Sequence, residues 1–367
     1  MIIKKESIIF CVSSLSGGGA EGVCINIANE LANRGWNISI VVLNLLNADY
    51  IKNVNTNVEI ISLNKKSTKS SFFAIRKIIK QKNVKIAVAF DYMMTVVLSL
   101  AKVSIIRNKL YLIVRNINTF SKKKNNNVTL KKQVLFQLLS LTLNKADLVI
   151  NQCKEMKNDL IENYSIKKNK VTFIYNPVNI KVQKVSQEKE TIKKENYFLC
   201  IGRLENQKAF EYAIRSFSEF SKHNGNYRLK IIGKGSLKDY LHNVAKHEKI
   251  DDKVDFLGFQ QNVIPFYQKA EATLLTSRFE GFPNVLIESI TLGTPIISFD
   301  CPSGPKEIIK NGINGYIVKD KDIGEFSEKM KKIINNRLDS QMISSSANKY
   351  YIENIILEWE KIFNNII

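Results

Sequence analysis

"SIIFCVSSLSGGGAEGVCINIANELANRGWNISIVVLN", residues 7–44, decides the fold. Both ends are apolar runs of strand type, and from about Glu21 to Arg34 the apolar residues recur at helical spacing. A strand, a glycine turn, a helix and a second strand in that order belong to a parallel sheet. Gly17, Gly19 and Gly22 satisfy G-x-G-x-x-G, the turn used for dinucleotide cofactors. That use also requires an Asp or Glu closing the second strand, which here ends at Asn44, with Asp49 too late. What remains is physical: glycines that let a ligand approach the backbone, and a helix N-terminus that favours an anion.

The same alternation continues outward. "KIAVAF" (85–90), "LYLIVRN" (110–116) and "ADLVINQ" (146–152) read as further strands, with helices expected around 71–82, 92–101 and 128–144. Residues 1–178 therefore form one Rossmann-like domain. The polar stretch 179–196, without periodicity, reads as a linker, and "KKKNNN" at 122–127 as an exposed loop. A second series follows over 197–350: "YFLCIG", "RLKIIG", "KVDFLG", "EATLLTS", "TPIISF" and "GYIV", each followed by a helical pattern. Residues 351–367 read as a C-terminal helix packing back on the first domain. The expected fold is α/β: two Rossmann-like, doubly wound parallel-sheet domains facing across a cleft.

Composition narrows the class. The chain has 367 residues, beyond the ~100–150 usual for one domain, and carries a net charge of +21. From Ile60 to Ala146, eighteen Lys and Arg stand against one acid, Asp91, so this segment holds +17 and the rest only +4. Such a segment suits an anionic surface: phospholipid headgroups, a diphosphate-linked substrate or nucleic acid. A lysine-rich genome is the plain alternative, but the second half lacks the bias. The five cysteines, 11, 24, 153, 200 and 301, are scattered and form no C-x-x-C pair, as in a reducing compartment. The apolar stretch 86–106 is interrupted by Asp91 and Lys102 and reads as a strand and helix, not a membrane span. The N-terminus does not have the pattern of a secretory signal.

In a parallel sheet, ligands bind beyond the carboxyl ends of the strands. Those ends in the second series read Gly202-Arg203, Gly233-Lys234-Gly235, Gly258-Phe259, "SRFEGFPN" (277–284) and "DCPSGP" (300–305). The sharpest element is "EGFPNVLIESITLGTP". Glu280 lies in a loop and Glu288 on a helix that Pro283 and Asn284 start and Gly293 ends. Two carboxylates so placed can each accept hydrogen bonds from a different polyol, with Arg203 and Lys208 within reach of a diphosphate between them.

"GRLENQK", "IIGKGSLKDYL", "DFLGFQQNV", "EGFPNVLIE", "GTPIISFDCPSGPKEII" and "NGINGYIV" resemble successive blocks of the C-terminal domain of retaining glycosyltransferases of family four, which have the GT-B fold. "SLSGGGAEGVCINIANELANRGWNISIVVL", "IVRN", "LVINQCKEM" and "IYNPV" resemble blocks of that family's N-terminal domain. The resemblance implies catalytic roles for Glu280, Arg203 and Lys208: Glu280 would hold hydroxyls of the donor sugar, and Arg203 and Lys208 its diphosphate. It gives the donor pocket to Gly18, Gly19, Gly202, Gly233, Gly258, Phe259, Gly281, Phe282, Pro283, Asn284, Val285 and Glu288, the last on the ribose. Arg115 and Asn116 would lie on the acceptor side. Many members carry a histidine there, but all three of this chain (223, 242, 247) lie in the second half. Gly22 stands where the family usually has a cation.

The resemblance further implies retention at the anomeric carbon, no metal and no cofactor, the co-substrate being a nucleotide sugar, with UDP the family's commonest carrier. Asp320 and Asp322 form a literal D-x-D, but they precede a helical pattern and read as its cap. The transferred group would be a hexose or N-acetylhexosamine. The acceptor would be a growing glycan on a polyprenyl diphosphate, and the location the cytoplasmic face of a bacterial cell membrane, held peripherally through the basic first domain. Phe72, Phe73, Ile75, Ile78 and Ile79, set among lysines, could face either that membrane or the core. Rival readings are a same-fold sugar-nucleotide epimerase or phosphorylase, and a nucleic-acid-binding protein using residues 60–146. The last predicts aromatics interleaved with the lysines, which "SKKKNNNVTLKK" lacks.

Overall fold

The computed structural model describes residues 6–105, 110–117, 140–164, 166–188 and 192–367. The chain forms two compact units, Met1–Asn179 with Ile352–Ile367, and Ile180–Tyr351.

The first unit holds seven strands: β1 Ser7–Val12, β2 Asn37–Val42, β3 Glu59–Ser62, β4 Ile86–Ala89, β5 Tyr111–Arg115, β6 Leu148–Asn151 and β7 Val171–Phe173. Their order is β3-β2-β1-β4-β5-β6-β7, every neighbouring pair parallel. Ile8 to Cys11 are fully buried, as expected of a strand covered on both faces. The period of two sorts the contacts: Ile9 and Cys11 join the core beneath the helices Phe72–Gln81 and Tyr92–Ser104. Phe10 instead packs 6.0 Å from Trp359 of the C-terminal helix Ile352–Asn364. That helix lies against the helix Gly19–Asn33 and is pinned by the Trp36 indole N–H, which donates to Glu360 at 2.8 Å.

The second unit holds β8 Tyr197–Ile201, β9 Arg228–Ile232, β10 Val254–Gly258, β11 Ala272–Leu275, β12 Ile296–Phe299 and β13 Gly315–Val318. Their order is β10-β9-β8-β11-β12-β13, again all parallel. Phe198, Phe217, Phe220, Phe299 and Phe326 build its core. In each sheet the strand order reverses once, beside β1 and β4 and beside β8 and β11. These reversals are the switch points at which an open α/β sheet binds ligands.

Two features differ from the sequence reading, and a third divides where that reading left two choices open. Strands β3 and β7 were not anticipated, and both are edge strands. Ile180–Ser186, in the stretch read as a linker, is helical and belongs to the second unit. Of the five apolar residues in the 70–82 stretch, Ile75 and Ile79 are fully buried while Phe73 is 77% exposed. Most of the helix expected at 128–144, and the loop at 122–127, lie outside the described residues, although 140–145 are helical. All five cysteines are buried free thiols. Among the described residues no helix is long and apolar enough to cross a membrane.

Candidate functional site

The switch point of the second unit brings the loop after β8 against the loop after β11. The two are tied by backbone and amide contacts before any charged group is considered. The Arg278 amide donates to the Gln207 carbonyl at 2.9 Å, and the Gln207 side-chain amide donates to the Phe279 carbonyl at 3.0 Å. This sets Lys208 opposite Glu280, with Nζ 2.7 Å from Oε1 and both side chains largely buried. The same carboxylate oxygen accepts from the Ser277 hydroxyl at 2.5 Å, and Ser277 is fully buried. Oε2 of Glu280 has no hydrogen-bond donor among the described residues, so it can accept from a ligand. Arg203 is exposed and touches Gln207 through Nη2 at 3.4 Å.

Beside this pair the strand ends are bare backbone. The Gly233 amide donates to the Gly258 carbonyl at 2.8 Å, and the Gly202 amide to Ile232 at 3.0 Å. A Cβ added at Gly233 would fall 1.8 Å from the Gly202 carbonyl oxygen, so no side chain fits. Phe259 follows β10, 66% exposed, with the Lys234 ammonium 5.8 Å from its ring centre.

Glu288 sits on the helix Asn284–Thr291, which Pro283 precedes in extended conformation and Gly293, at φ +70°, ends. Its Oε2 accepts from the hydroxyl of the fully buried Tyr267 at 3.0 Å. Burial pushes the Glu288 carboxyl up to about 7, against the pull of the Tyr267 hydrogen bond. Glu280 and Glu288 are thus held by separate partners. Behind them Gly304, at φ +100°, lets the 300–305 loop close onto Pro283, where a Cβ would meet Pro283 Cδ at 2.6 Å. The Glu280 amide donates to the Pro302 carbonyl at 3.1 Å. Gly281, Phe282 and Pro283 are buried, Phe282 lying 5.6 Å from the Tyr350 ring, while Asn284 and Val285 are half-buried.

The sequence reading missed three supporting residues. Ser277 was within reach of it, three positions before Glu280. Gln207 and Tyr267 act across 72 and 21 residues and leave no local signal.

In the first unit the outcome differs. The Gly17 and Gly18 amides both donate to Glu21 Oε2 at 2.6 Å, so an internal carboxylate occupies part of the turn expected to face an anion. Gly19 opens the helix behind it. Arg115 and Asn116, expected on the acceptor side, are 2% and 1% exposed. The alternation along β5 turns Arg115 to the face that Trp359 covers, and its guanidinium lies 5.7 Å from the Phe90 ring and 5.8 Å from that of Trp359. Arg115 donates to Asn176, and the Asn116 side-chain amide to Asn151 Oδ1 at 2.9 Å. Burial pushes the Arg115 guanidinium down to about 10. Both residues are core groups in this structure.

Asp322 caps the helix Ile323–Asn335, accepting from the Glu325 amide at 2.9 Å, as the sequence suggested. Among the described residues no three His, Cys, Asp or Glu side chains gather as a metal site would require.

Two family models match in succession. The one described as Glycosyltransferase Family 4 covers residues 17–182, and the one described as Glycosyl transferases group 1 covers residues 182–350. A Haemophilus influenzae protein named only as an uncharacterized glycosyltransferase is 29% identical over 98% of this chain and 99% of its own length. A Campylobacter jejuni enzyme is 32% identical, over 50% of this chain and 49% of its own. Its name is N-acetylgalactosamine-N,N'-diacetylbacillosaminyl-diphospho-undecaprenol 4-alpha-N-acetylgalactosaminyltransferase. Among solved structures, Anabaena HepE in complex with UDP has the same fold, with a TM-score of 0.80 at 16% identity over 98% of this chain and 100% of its own.

Proposed function

Because the chain belongs to the glycosyltransferases, with a family 4 half followed by a group 1 half, we propose that it transfers a hexose or N-acetylhexosamine from a UDP-sugar to a growing glycan on a lipid diphosphate. The reaction retains anomeric configuration, uses neither metal nor cofactor, and serves cell-surface polysaccharide assembly. The observation that carries this reading is the Lys208–Glu280 pair with one carboxylate oxygen open. In this reading Glu280 accepts hydrogen bonds from the donor sugar's hydroxyls. Lys208 and Arg203 meet the diphosphate, where negative charge grows as the leaving group departs. Glu288, fixed by Tyr267, takes the ribose, and Phe259 and the bare ends of β8, β9 and β10 line the pocket.

The bond between the anomeric carbon and the diphosphate oxygen breaks as a bond to the acceptor oxygen forms on the same face. The acceptor's proton passes to the leaving phosphate. The name of the Campylobacter relative, which carries an undecaprenyl diphosphate, supports a lipid-linked acceptor, and the complex of the Anabaena neighbour supports UDP. The reading places the enzyme peripherally at the cytoplasmic face of the membrane. The basic 60–146 segment supports this, as do the exposed Phe73, Leu100 and Val103 on two neighbouring helices.

The test is a panel of UDP-, GDP- and ADP-sugars in EDTA, recording nucleotide release and binding heat for the native protein and for Glu288→Ala. Tight binding of one UDP-sugar, lost in the variant, is the expected result. No binding by a well-folded protein would sink the reading, and an isomerised donor or a sugar phosphate as product would move it to an epimerase or a phosphorylase.

A further inference from the structure

The second unit carries a recess of about 940 Å³ walled by residues 185, 186, 192 and 194 and by parts of 268–271, 291–295 and 333–345. Its position in the sheet separates it from the donor residues. Lys194 precedes β8, Glu271 directly precedes β11 and Pro295 directly precedes β12, so the recess opens at the amino edge, whereas Arg203, Phe259 and Glu280 follow carboxyl ends.

Two cations converge on it. The Lys194 ammonium donates to the Thr294 hydroxyl at 2.7 Å, and among the described residues no carboxylate lies within ion-pair distance of it. Arg337 is 66% exposed and is anchored through one nitrogen to the buried Glu271 at 3.0 Å. Burial pushes the Lys194 ammonium down to about 8, with Glu271 opposing and the nearby Arg337 adding to the effect. Asp339, the other acid on the wall, accepts from the Met342 amide at 2.8 Å as a helix cap.

Each acid has one oxygen engaged, and both cations keep N–H donors from which an anion can accept. The rest of the wall suits a polyol. Ser340 and Ser344 donate to the Gly293 and Gln341 carbonyls at 3.2 and 3.1 Å and keep their lone pairs, and the Gln268 side chain adds a donor and an acceptor. The volume lies within the ~300–1,000 Å³ typical of small-molecule sites.

We propose that this recess binds a phosphorylated sugar, its phosphate between Lys194 and Arg337 and its hydroxyls on the polar wall, separately from the nucleotide-sugar site.

The experiment is titration calorimetry on the full chain with glucose 6-phosphate, inorganic phosphate and glucose as probes. The variants are Lys194→Met, Lys194→Arg, Arg337→Met and, as a control at the other edge, Glu280→Gln, each checked by circular dichroism and melting temperature. Glucose 6-phosphate should bind at least tenfold more tightly than phosphate, and glucose not measurably. Lys194→Met and Arg337→Met should each weaken it tenfold or more, while Lys194→Arg and Glu280→Gln leave it within twofold. Any of four results overturns the proposal: no binding, equal affinity for phosphate and glucose 6-phosphate, affinity unmoved by both methionine variants in folded protein, or loss in Glu280→Gln.

Discussion

The two switch points follow one plan and end in different states. In each, the loop after the central strand is tied to the loop after the strand on its far side: Ser13 to Asp91 in the first unit, Gln207 and Lys208 to Phe279 and Glu280 in the second. In the first unit the carboxylates bind fixed groups. Asp91 accepts from the Ser13 amide and hydroxyl at 2.7 and 2.8 Å and from the Met94 amide at 2.9 Å, and Glu21 takes two glycine amides. Backbone amides cannot turn away, so these acids work as joints. In the second unit the acid meets an ammonium on a flexible stem and a hydroxyl, with one oxygen open. A diphosphate can draw Lys208 away while a sugar hydroxyl meets Glu280, so the same topology gives an exchangeable site.

The change expected to have the largest effect is at the open carboxylate. Glu280→Gln keeps the size and one acceptor but removes the charge that balances Lys208 and that, in the proposed reading, grips the donor's hydroxyls. Transfer should fall by ~100-fold or more, the scale of losing one well-placed transition-state contact, and the melting temperature should fall as well, because the largely buried Lys208 loses its counter-charge. Steady-state kinetics with the donor identified by the nucleotide panel reads this, and activity within fivefold of wild type would mean that Glu280 is only structural.

Next in size is its partner. In the proposed reading Lys208→Met removes a charge-assisted contact to the donor diphosphate, worth ~1.5–3 kcal/mol or roughly 10–100-fold in donor affinity. Calorimetry with the nucleoside diphosphate alone isolates this effect, because the transferred sugar that would involve Glu280 is absent. An unchanged affinity would place the diphosphate elsewhere.

The matching change in the first unit should act on stability instead. Asp91→Ala removes the cap of the helix Tyr92–Ser104 and the tie to Ser13, and an N-cap loss costs ~0.5–2 kcal/mol. Chemical denaturation should show this destabilisation while donor affinity stays within twofold. A large loss of donor affinity with unchanged stability would erase the contrast between the two switch points.

How far the sequence could be read follows the same contrast. All six strands of the second unit are short, mainly apolar runs that stop at a glycine or a polar residue, and each is visible as such. In the first unit the edge strands "EIIS" and "VTF" are paired on one side only and partly exposed, so they lack the apolar run that marks a covered strand. The helix Ile180–Ser186 is two turns long, too short for a period to show. Within the candidate site, the placement of Lys208 and Glu280 on facing loops and of Glu288 on the following helix was legible, because a strand end or a helix start fixes where such a residue lies. Arg115 was not. Only the return of Trp359 from the far end of the chain shows that the β5 face beneath it is closed, and no local pattern carries that information.

The last prediction concerns the second carboxylate and separates burial from function. Glu288 binds its proton more tightly in the folded protein, up to about 7, than in the unfolded chain, where a glutamate titrates at ~4.3. Between those values the folded state carries the proton and the unfolded state does not, so stability falls as pH rises from about 4.5 to about 7. Below that window both states are protonated and above it both are ionised, so this contribution is flat on either side. Glu288→Gln should remove the slope: the difference in melting temperature between variant and wild type should grow in the variant's favour across the window and then level off. A bound nucleotide sugar should reduce the wild-type slope as well, because ribose hydroxyls donate to the ionised form and make it less costly to bury. A slope that Glu288→Gln removes but the donor leaves untouched would show a carboxyl buried for packing, and the ribose would then have to be held by another group.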